Sequence, residues 1–251
     1  MAADARPLEV KVSGQEVYRI ARAPDPWTWP EWGYANSDNT FDNRWDDAEG
    51  SYRVLYASSQ RAGAFVETLA RFRLDVDLVA ELNEITADDP ADAPIPAGTV
   101  PHDWPEGRLI GKAVLKGDFA DVTHPKSLTY LRTVLAKTLR ERGLTDLDAG
   151  TIRTTDRDLT QQMSRRIYEC SVDGQRAYAG VYYRSRLGDK YENWGVFDTE
   201  VSGVKSPVSA VDHGSSIRAD DPDLAEALAY LSLVVEPDPA EAQAQPVGER
   251  H

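Results

Sequence analysis

The sequence predicts a single α+β domain, a mixed β core flanked by helices, and three observations carry that reading. Strand-like and helix-like runs are intermixed without the steady strand–helix alternation of a doubly wound sheet. Two segments, residues 125–142 and 158–170, carry apolar stripes at helical spacing, and short runs rich in β-formers fall before and after them. The chain has 251 residues, of which 41% are hydrophobic, enough to bury a sizeable core, and it contains no internal repeat.

Residues 1–14 read as an N-terminal arm and residues 15–235 as the domain. Residues 15–21 (QEVYRIA) supply a first strand through Val17, Tyr18 and Ile20. A long loop follows, with Pro24, Pro26 and Pro30, and closes on a polar cluster from Asp46 to Gly50. It holds four of the six tryptophans, from Trp27 to Trp45, which either cover a core edge or wall a pocket for a flat ring. Residues 51–57 (SYRVLYA) read as a strand, and Ser58-Ser59-Gln60 offers a cap for a helix over 61–73. In that helix Phe65, Leu69 and Phe72 share a face, which leaves Glu67 on another. Residues 74–82 read as a strand or a strand passing into a turn, and 83–108 as an exposed insertion rich in Pro and Asp. Strand 109–115 precedes helix 125–142, striped by Leu128, Leu131, Leu135 and Leu139 and stopped by Gly143. Helix 158–170 turns Leu159, Met163, Ile167 and Cys170 inward. A strand over 175–183, a polar turn (RSRLGDKYEN) and a short strand 194–197 follow. Asp221-Pro222 opens a last helix with Leu224, Leu228 and Leu231 on one side, and 236–251 read as a disordered acidic tail.

Charge and composition narrow the function. Lys and Arg total 28 against 42 Asp and Glu, a net charge of -14. Such a field repels nucleic acid and anionic membrane, so an anionic ligand needs a local cluster of Arg. The one cysteine, Cys170, permits neither an internal disulfide nor a Cys-based zinc site. His102, His124, His213 and His251 are scattered, and no GxGxxG, P-loop, GxSxG or HExxH occurs, so neither a metal site nor a triad is supported. The opening MAADARPLEV lacks a signal-peptide core and no apolar run reaches membrane-spanning length, so a cytoplasmic protein is expected. A homo-oligomer is left open.

Three stretches gain meaning when read together: Phe41-Asp42-Asn43-Arg44-Trp45; Val54-Leu55-Tyr56-Ala57-Ser58 with Phe65-Val66-Glu67-Thr68-Leu69; and Gly180-Val181-Tyr182-Tyr183-Arg184-Ser185-Arg186 with Asn193 and Val196-Phe197-Asp198. Their order, with Tyr18-Arg19 ahead and Leu159 to Ser164 between, resembles the RES-domain family, named for an Arg, a Glu and a Ser. Here these would be Arg44, Glu67 and Ser185. The resemblance spans residues 15–200. It implies an ADP-ribosyltransferase-like fold and an enzyme that degrades NAD, preferentially by phosphorolysis to nicotinamide and ADP-ribose 1''-phosphate. NAD is then a substrate, inorganic phosphate a co-substrate, and no metal or prosthetic group is needed. An Xre-like antitoxin protein is an implied partner. The chain departs from compact members in Asn43 before Arg44-Trp45, in Asp46 after them, in the 83–108 insertion and in the tail.

The residue types suit that chemistry. Nicotinamide leaves as a neutral group, so the barrier is dominated by a ribosyl cation, which an aimed carboxylate stabilises. Glu67 is the candidate, and it should face a cleft. Arg44 is the first choice to hold phosphate oxygens through its fork, and Arg19 the second, unless it is a surface strand residue. Tyr56 offers its ring to nicotinamide or its hydroxyl to ribose or phosphate, unless it is a half-buried core tyrosine. Ser185 and Asn193 are further ligand candidates; without the resemblance Ser185 reads as a turn serine. The same site with water or a macromolecular acceptor would be an NAD glycohydrolase or an ADP-ribosyltransferase. A non-enzymatic NAD- or protein-binding module is the alternative of a different class.

Overall fold

The computed structural model describes residues 6–80, 97–199 and 206–238. Its largest element is a curled sheet of eight strands: β1 (Val10–Val12), β2 (Glu16–Arg22), β3 (Val54–Ser58), β5 (Arg108–Leu115), β6 (Asp118–Asp121), β9 (Gly180–Ser185), β10 (Gly188–Phe197) and β11 (Val208–Ser216). Their spatial order is β1-β6-β9-β10-β3-β2-β5-β11, antiparallel throughout except for β6 beside β9. Two small ribbons complete the strands: β4 (Gly98–Val100) parallel to β12 (Leu233–Val235), and β7 (Ser171–Val172) against β8 (Gln175–Arg176). The sheet with its flanking helices is the α+β architecture expected.

Apolar alternation along the strands divides the core. Val54 and Tyr56 of β3, with Val181 and Tyr183 of β9, face α2 (Pro125–Val134), α3 (Ala136–Glu141) and α5 (Arg157–Tyr168), meeting Leu131, Leu135, Leu139, Leu159, Met163 and Ile167. The short α4 (Ala149–Ile152) adds Ile152 to the same cluster. Leu55, Ala57, Tyr182, Trp194 and Val196 point the other way and pack with Trp27. A further cluster joins α1 (Arg61–Leu69) to α6 (Pro222–Leu231) through Phe65, Leu69, Leu224, Ala227 and Leu231. Arg61 fastens that pair from the side, its Nη2 2.5 Å from Asp221 Oδ2 and its Nη1 2.6 Å from Asp223 Oδ2. Asp221 also caps α6, accepting from Asp223 N at 3.0 Å, as the Asp-Pro start predicts.

Several boundaries need correction. Residues 10–12 belong to the sheet rather than to a free arm, and Leu8 is fully buried. The segment expected as a strand from 74 is helical over 76–80, and the remainder lies outside the described residues. Of the 83–108 insertion, the described part is not an exposed excursion: Gly98–Val100 pairs with β12, and Val100 and Trp104 are buried. Glu236 N bonds Val100 O at 2.9 Å, so order reaches past the expected start of the tail; 239–251 lie outside the described residues. The long leucine-striped helix is interrupted at Leu135 (φ -104°, ψ 12°), which ends α2 and opens α3. Ser58-Ser59-Gln60 supplies no side-chain cap for α1; Ser58 Oγ instead donates to Glu192 O at 3.1 Å. The polar run after Tyr183 is not a long turn, since Ser185 pairs with Gly188 and leaves only Arg186-Leu187 between the strands. Among the described residues no helix is long and apolar enough to cross a membrane.

Candidate active site

One cavity of about 560 Å³ opens where α1, the edge of β2, β3 and β10, the 41–46 loop, the start of α5 and the β9–β10 turn converge. That size suits a small-molecule site. Five of the residues lining it are arginines (Arg19, Arg44, Arg71, Arg157 and Arg186), against three carboxylates, Asp42, Asp46 and Glu67. The protein as a whole carries -14, so this wall inverts the global field. None of the five arginines makes an ion pair among the described residues, whereas Arg53, Arg61, Arg142 and Arg165 all do.

Glu67 reaches the cavity because α1 buries its opposite face. Phe65, Val66 and Leu69 are completely enclosed, while Glu67 is exposed to the cavity. The seam beneath is tight: a Cβ on Gly63 would lie 2.3 Å from Ser58 Oγ, so only glycine lets α1 approach β3 this closely. Across the cavity, Asn193 of β10 donates from Nδ2 to Glu67 Oε1 at 2.8 Å. Asn193 is 1% exposed, and its Oδ1 is buried with no hydrogen-bond partner. A buried amide oxygen left unpaired is costly, and here it borders the cavity wall.

Arg44 comes from the loop before β3 and lies on the same cavity as Glu67. Its Nη2 donates to Ile152 O, and its Nε is buried without a partner. Burial weakens the guanidinium's hold on its proton, Tyr183 counteracts, and the nearby Arg186 adds to the weakening while Glu67 opposes it. Burial, then Glu67, push the Tyr183 phenol upward in turn, so it stays a neutral wall group. Arg19 is half-buried and donates from Nε to Pro26 O at 2.7 Å and from Nη1 to Tyr56 O at 2.9 Å. Burial lowers it to about 10, which still leaves it charged at neutral pH; it is a cavity residue and not a surface strand arginine.

Tyr56 and Ser185 sit differently from expectation. Tyr56 lines the cavity, but its hydroxyl donates to Asp46 Oδ1 at 2.8 Å and accepts from Trp45 N at 3.0 Å, so that group is already engaged. Burial, then Asp46, raise this phenol well above its ordinary value. Ser185 is 1% exposed and does not line the cavity; its Oγ accepts from Leu187 N at 3.0 Å. The structure therefore makes it a turn serine and not a wall group. The tryptophans resolve the same way: Trp27 and Trp45 are core residues, and no tryptophan lines the cavity.

Sequence reasoning missed Asp46, Arg71, Arg157 and Arg186. Asp46 is 2% exposed and accepts from Asn43 N at 2.7 Å, Asn43 Nδ2 at 2.8 Å and the Tyr56 hydroxyl. Burial holds its carboxyl above the ordinary value, and those hydrogen bonds offset only part of the rise. It thus folds the Arg44 loop onto β3, and its position directly after Arg44-Trp45 was the available signal. Arg186 lay at the end of the third motif stretch but was not singled out as a ligand; Arg71 and Arg157 carried no local signal, since isolated surface arginines are common and only the fold gathers them. Among the described residues no group of three or more His, Cys, Asp and Glu is arranged to hold a metal.

A curled mixed sheet flanked by helices, with an arginine-walled cavity beside the Glu67 helix, makes this a single-domain α+β protein. The family model for the RES domain matches residues 16–219, and the chain belongs to that family. Its fold is similar to that of a chain in the crystal structure of the M. tuberculosis MbcT–MbcA toxin–antitoxin complex, with a TM-score of 0.50 and 13% identity over 89% of this chain and 91% of that one. No curated protein matches the chain.

Proposed function

We propose that this protein cleaves NAD at the nicotinamide–ribose bond and transfers the ADP-ribosyl group to inorganic phosphate. The observation that carries the reading is the pairing, in one cavity, of Glu67 with five arginines that form no ion pair among the described residues. Guanidiniums without carboxylate partners suit the pyrophosphate of a dinucleotide and a second phosphate anion. In the reaction the C1''–N bond breaks and its electron pair neutralises the pyridinium, so nicotinamide departs without needing a proton. Glu67, oriented by Asn193, stabilises the ribosyl cation. A phosphate oxygen then forms the new bond to C1''. Arg44 and Arg19 hold phosphate oxygens, and the Tyr56 and Tyr183 rings border the nicotinamide end. Membership of the RES family and the likeness to a toxin–antitoxin chain support a toxin-like role; the restraining partner would be an antitoxin protein, Xre-like as the family resemblance implies.

The test follows NAD loss and the phosphorus spectrum of the products with and without phosphate. Phosphate-accelerated loss giving ADP-ribose 1''-phosphate is expected. Equal rates giving only free ADP-ribose would replace phosphorolysis by hydrolysis, and NAD left intact would reject the reading altogether.

A further inference from the structure

The tip of the β9–β10 hairpin is built to hold one residue rigidly over the cavity. Ser185 Oγ accepts from Leu187 N at 3.0 Å, and the Tyr230 hydroxyl of α6 donates to Leu187 O at 2.6 Å. A Cβ on Gly188 would meet that hydroxyl at 2.1 Å, so helix and turn are in direct contact. On the far side, Arg184 Nη1 donates to Asp189 O at 2.6 Å, and Arg153 Nη2 lies 2.6 Å from Asp189 Oδ1. Every residue from 184 to 189 except Arg186 is thus tied or packed. Arg186 is exposed, lines the cavity, and has no hydrogen bond or ion pair among the described residues.

We infer that Arg186 is the specificity-determining residue for the acceptor, capturing inorganic phosphate between itself and Arg44 and so favouring phosphate over water. This rests on the NAD-cleaving reading above. Two guanidiniums on one cavity wall, neither neutralised by a carboxylate, repel each other when the cavity is empty, and a phosphate dianion between them relieves that repulsion. The weakening of Arg44 by Arg186 reports the same proximity. Arg44 also serves the dinucleotide, so the choice of acceptor falls to Arg186, which lines the same cavity as Glu67 from the exposed hairpin tip. An anion held between Arg44 and Arg186 shares the cavity with Glu67, and so with the carbon that Glu67 activates. The rim position of Arg186 lets the second substrate enter from solvent. Ser185 acts through Arg186, as a positioning residue that sets the turn.

The experiment is steady-state kinetics on Arg186→Ala and Arg186→Lys, with phosphate and NAD varied separately, and calorimetric titration of each protein with inorganic phosphate alone. Arg186 is exposed and forms no ion pair among the described residues, so the alanine variant should fold. A charge-assisted contact of this kind is worth about tenfold or more in affinity. The KM for phosphate should therefore rise about tenfold or more beyond any change in the KM for NAD, with partial recovery in Arg186→Lys. A shift confined to the KM for NAD would hand Arg186 to the pyrophosphate and overturn the inference; unchanged phosphate KM and phosphate affinity would do the same. Should the parent protein leave NAD intact yet bind phosphate in an Arg186-dependent way, the cleavage reading fails while anion capture by Arg186 stands.

Discussion

Replacing Glu67 by Gln removes one charge and little else. The side chain faces the cavity, forms no ion pair among the described residues, and keeps an amide oxygen that can still accept from Asn193 Nδ2. Opposite unit charges about 4 Å apart at an effective dielectric of about 20 attract by about 4 kcal/mol. Solvent access on the cavity side lowers this to about 3 kcal/mol, roughly a hundredfold in rate. We predict that Glu67→Gln loses about a hundredfold in turnover, measured as nicotinamide release at saturating NAD. The KM for NAD and the melting temperature should change little, because the lost interaction forms only as the ribosyl cation develops. Turnover within about threefold of the parent, with intact NAD affinity, would refute the electrostatic role of Glu67.

Arg44→Ala should weaken NAD binding about tenfold or more in calorimetry and lower the rate as well, and Arg44→Lys should not restore it, because lysine lacks the fork. Unchanged affinity would transfer the pyrophosphate to the other arginines. Gly63→Ala forces a Cβ to 2.3 Å from Ser58 Oγ, and thermal melts should show a loss of about 1–3 kcal/mol; an unchanged melting temperature would mean the α1–β3 seam yields. Asp221→Ala removes both the α6 cap and the tie to Arg61, and should cost about 2 kcal/mol in urea titrations at pH 7. Arg61 holds the Asp221 carboxyl below its ordinary 3.8, so this stabilisation is present above 3.8 and lost as pH falls through the depressed folded value. The penalty should therefore shrink in strong acid; a penalty independent of pH would remove the ion pair from the account.

The helices were legible because their determinants are local. The stripes of α1, α5 and α6 and the Asp-Pro start of α6 all lie within a few residues of what they control. Strands β1, β6, β11 and β12 were not, because each draws its stability from a remote neighbour. Val10–Val12 is only three residues long and exists as a strand by pairing with Asp118–Asp121. Val208–Ser216 is mostly exposed and polar, and is shaped by irregular pairing to β5. A period-2 pattern cannot reveal such strands.

The site divides along the same line. Sequence alone named residues that come to line the cavity: Arg44, Glu67 and Asn193 were drawn from motif order, as were Arg19 and Tyr56, and the need for clustered arginines followed from the net charge. Tertiary structure decided what those groups face. Asn193 is 126 residues from Glu67 in sequence, and meets it only because β10 pairs with β3 in the register that sets Asn193 beside Ser58. The same folding turned Ser185 into a turn residue, committed the Tyr56 hydroxyl to Asp46 and gathered Arg71, Arg157 and Arg186 onto one wall. Electrostatic attraction and hydrogen bonding act over a few ångströms and depend on direction, and separation along the chain carries almost no information about either.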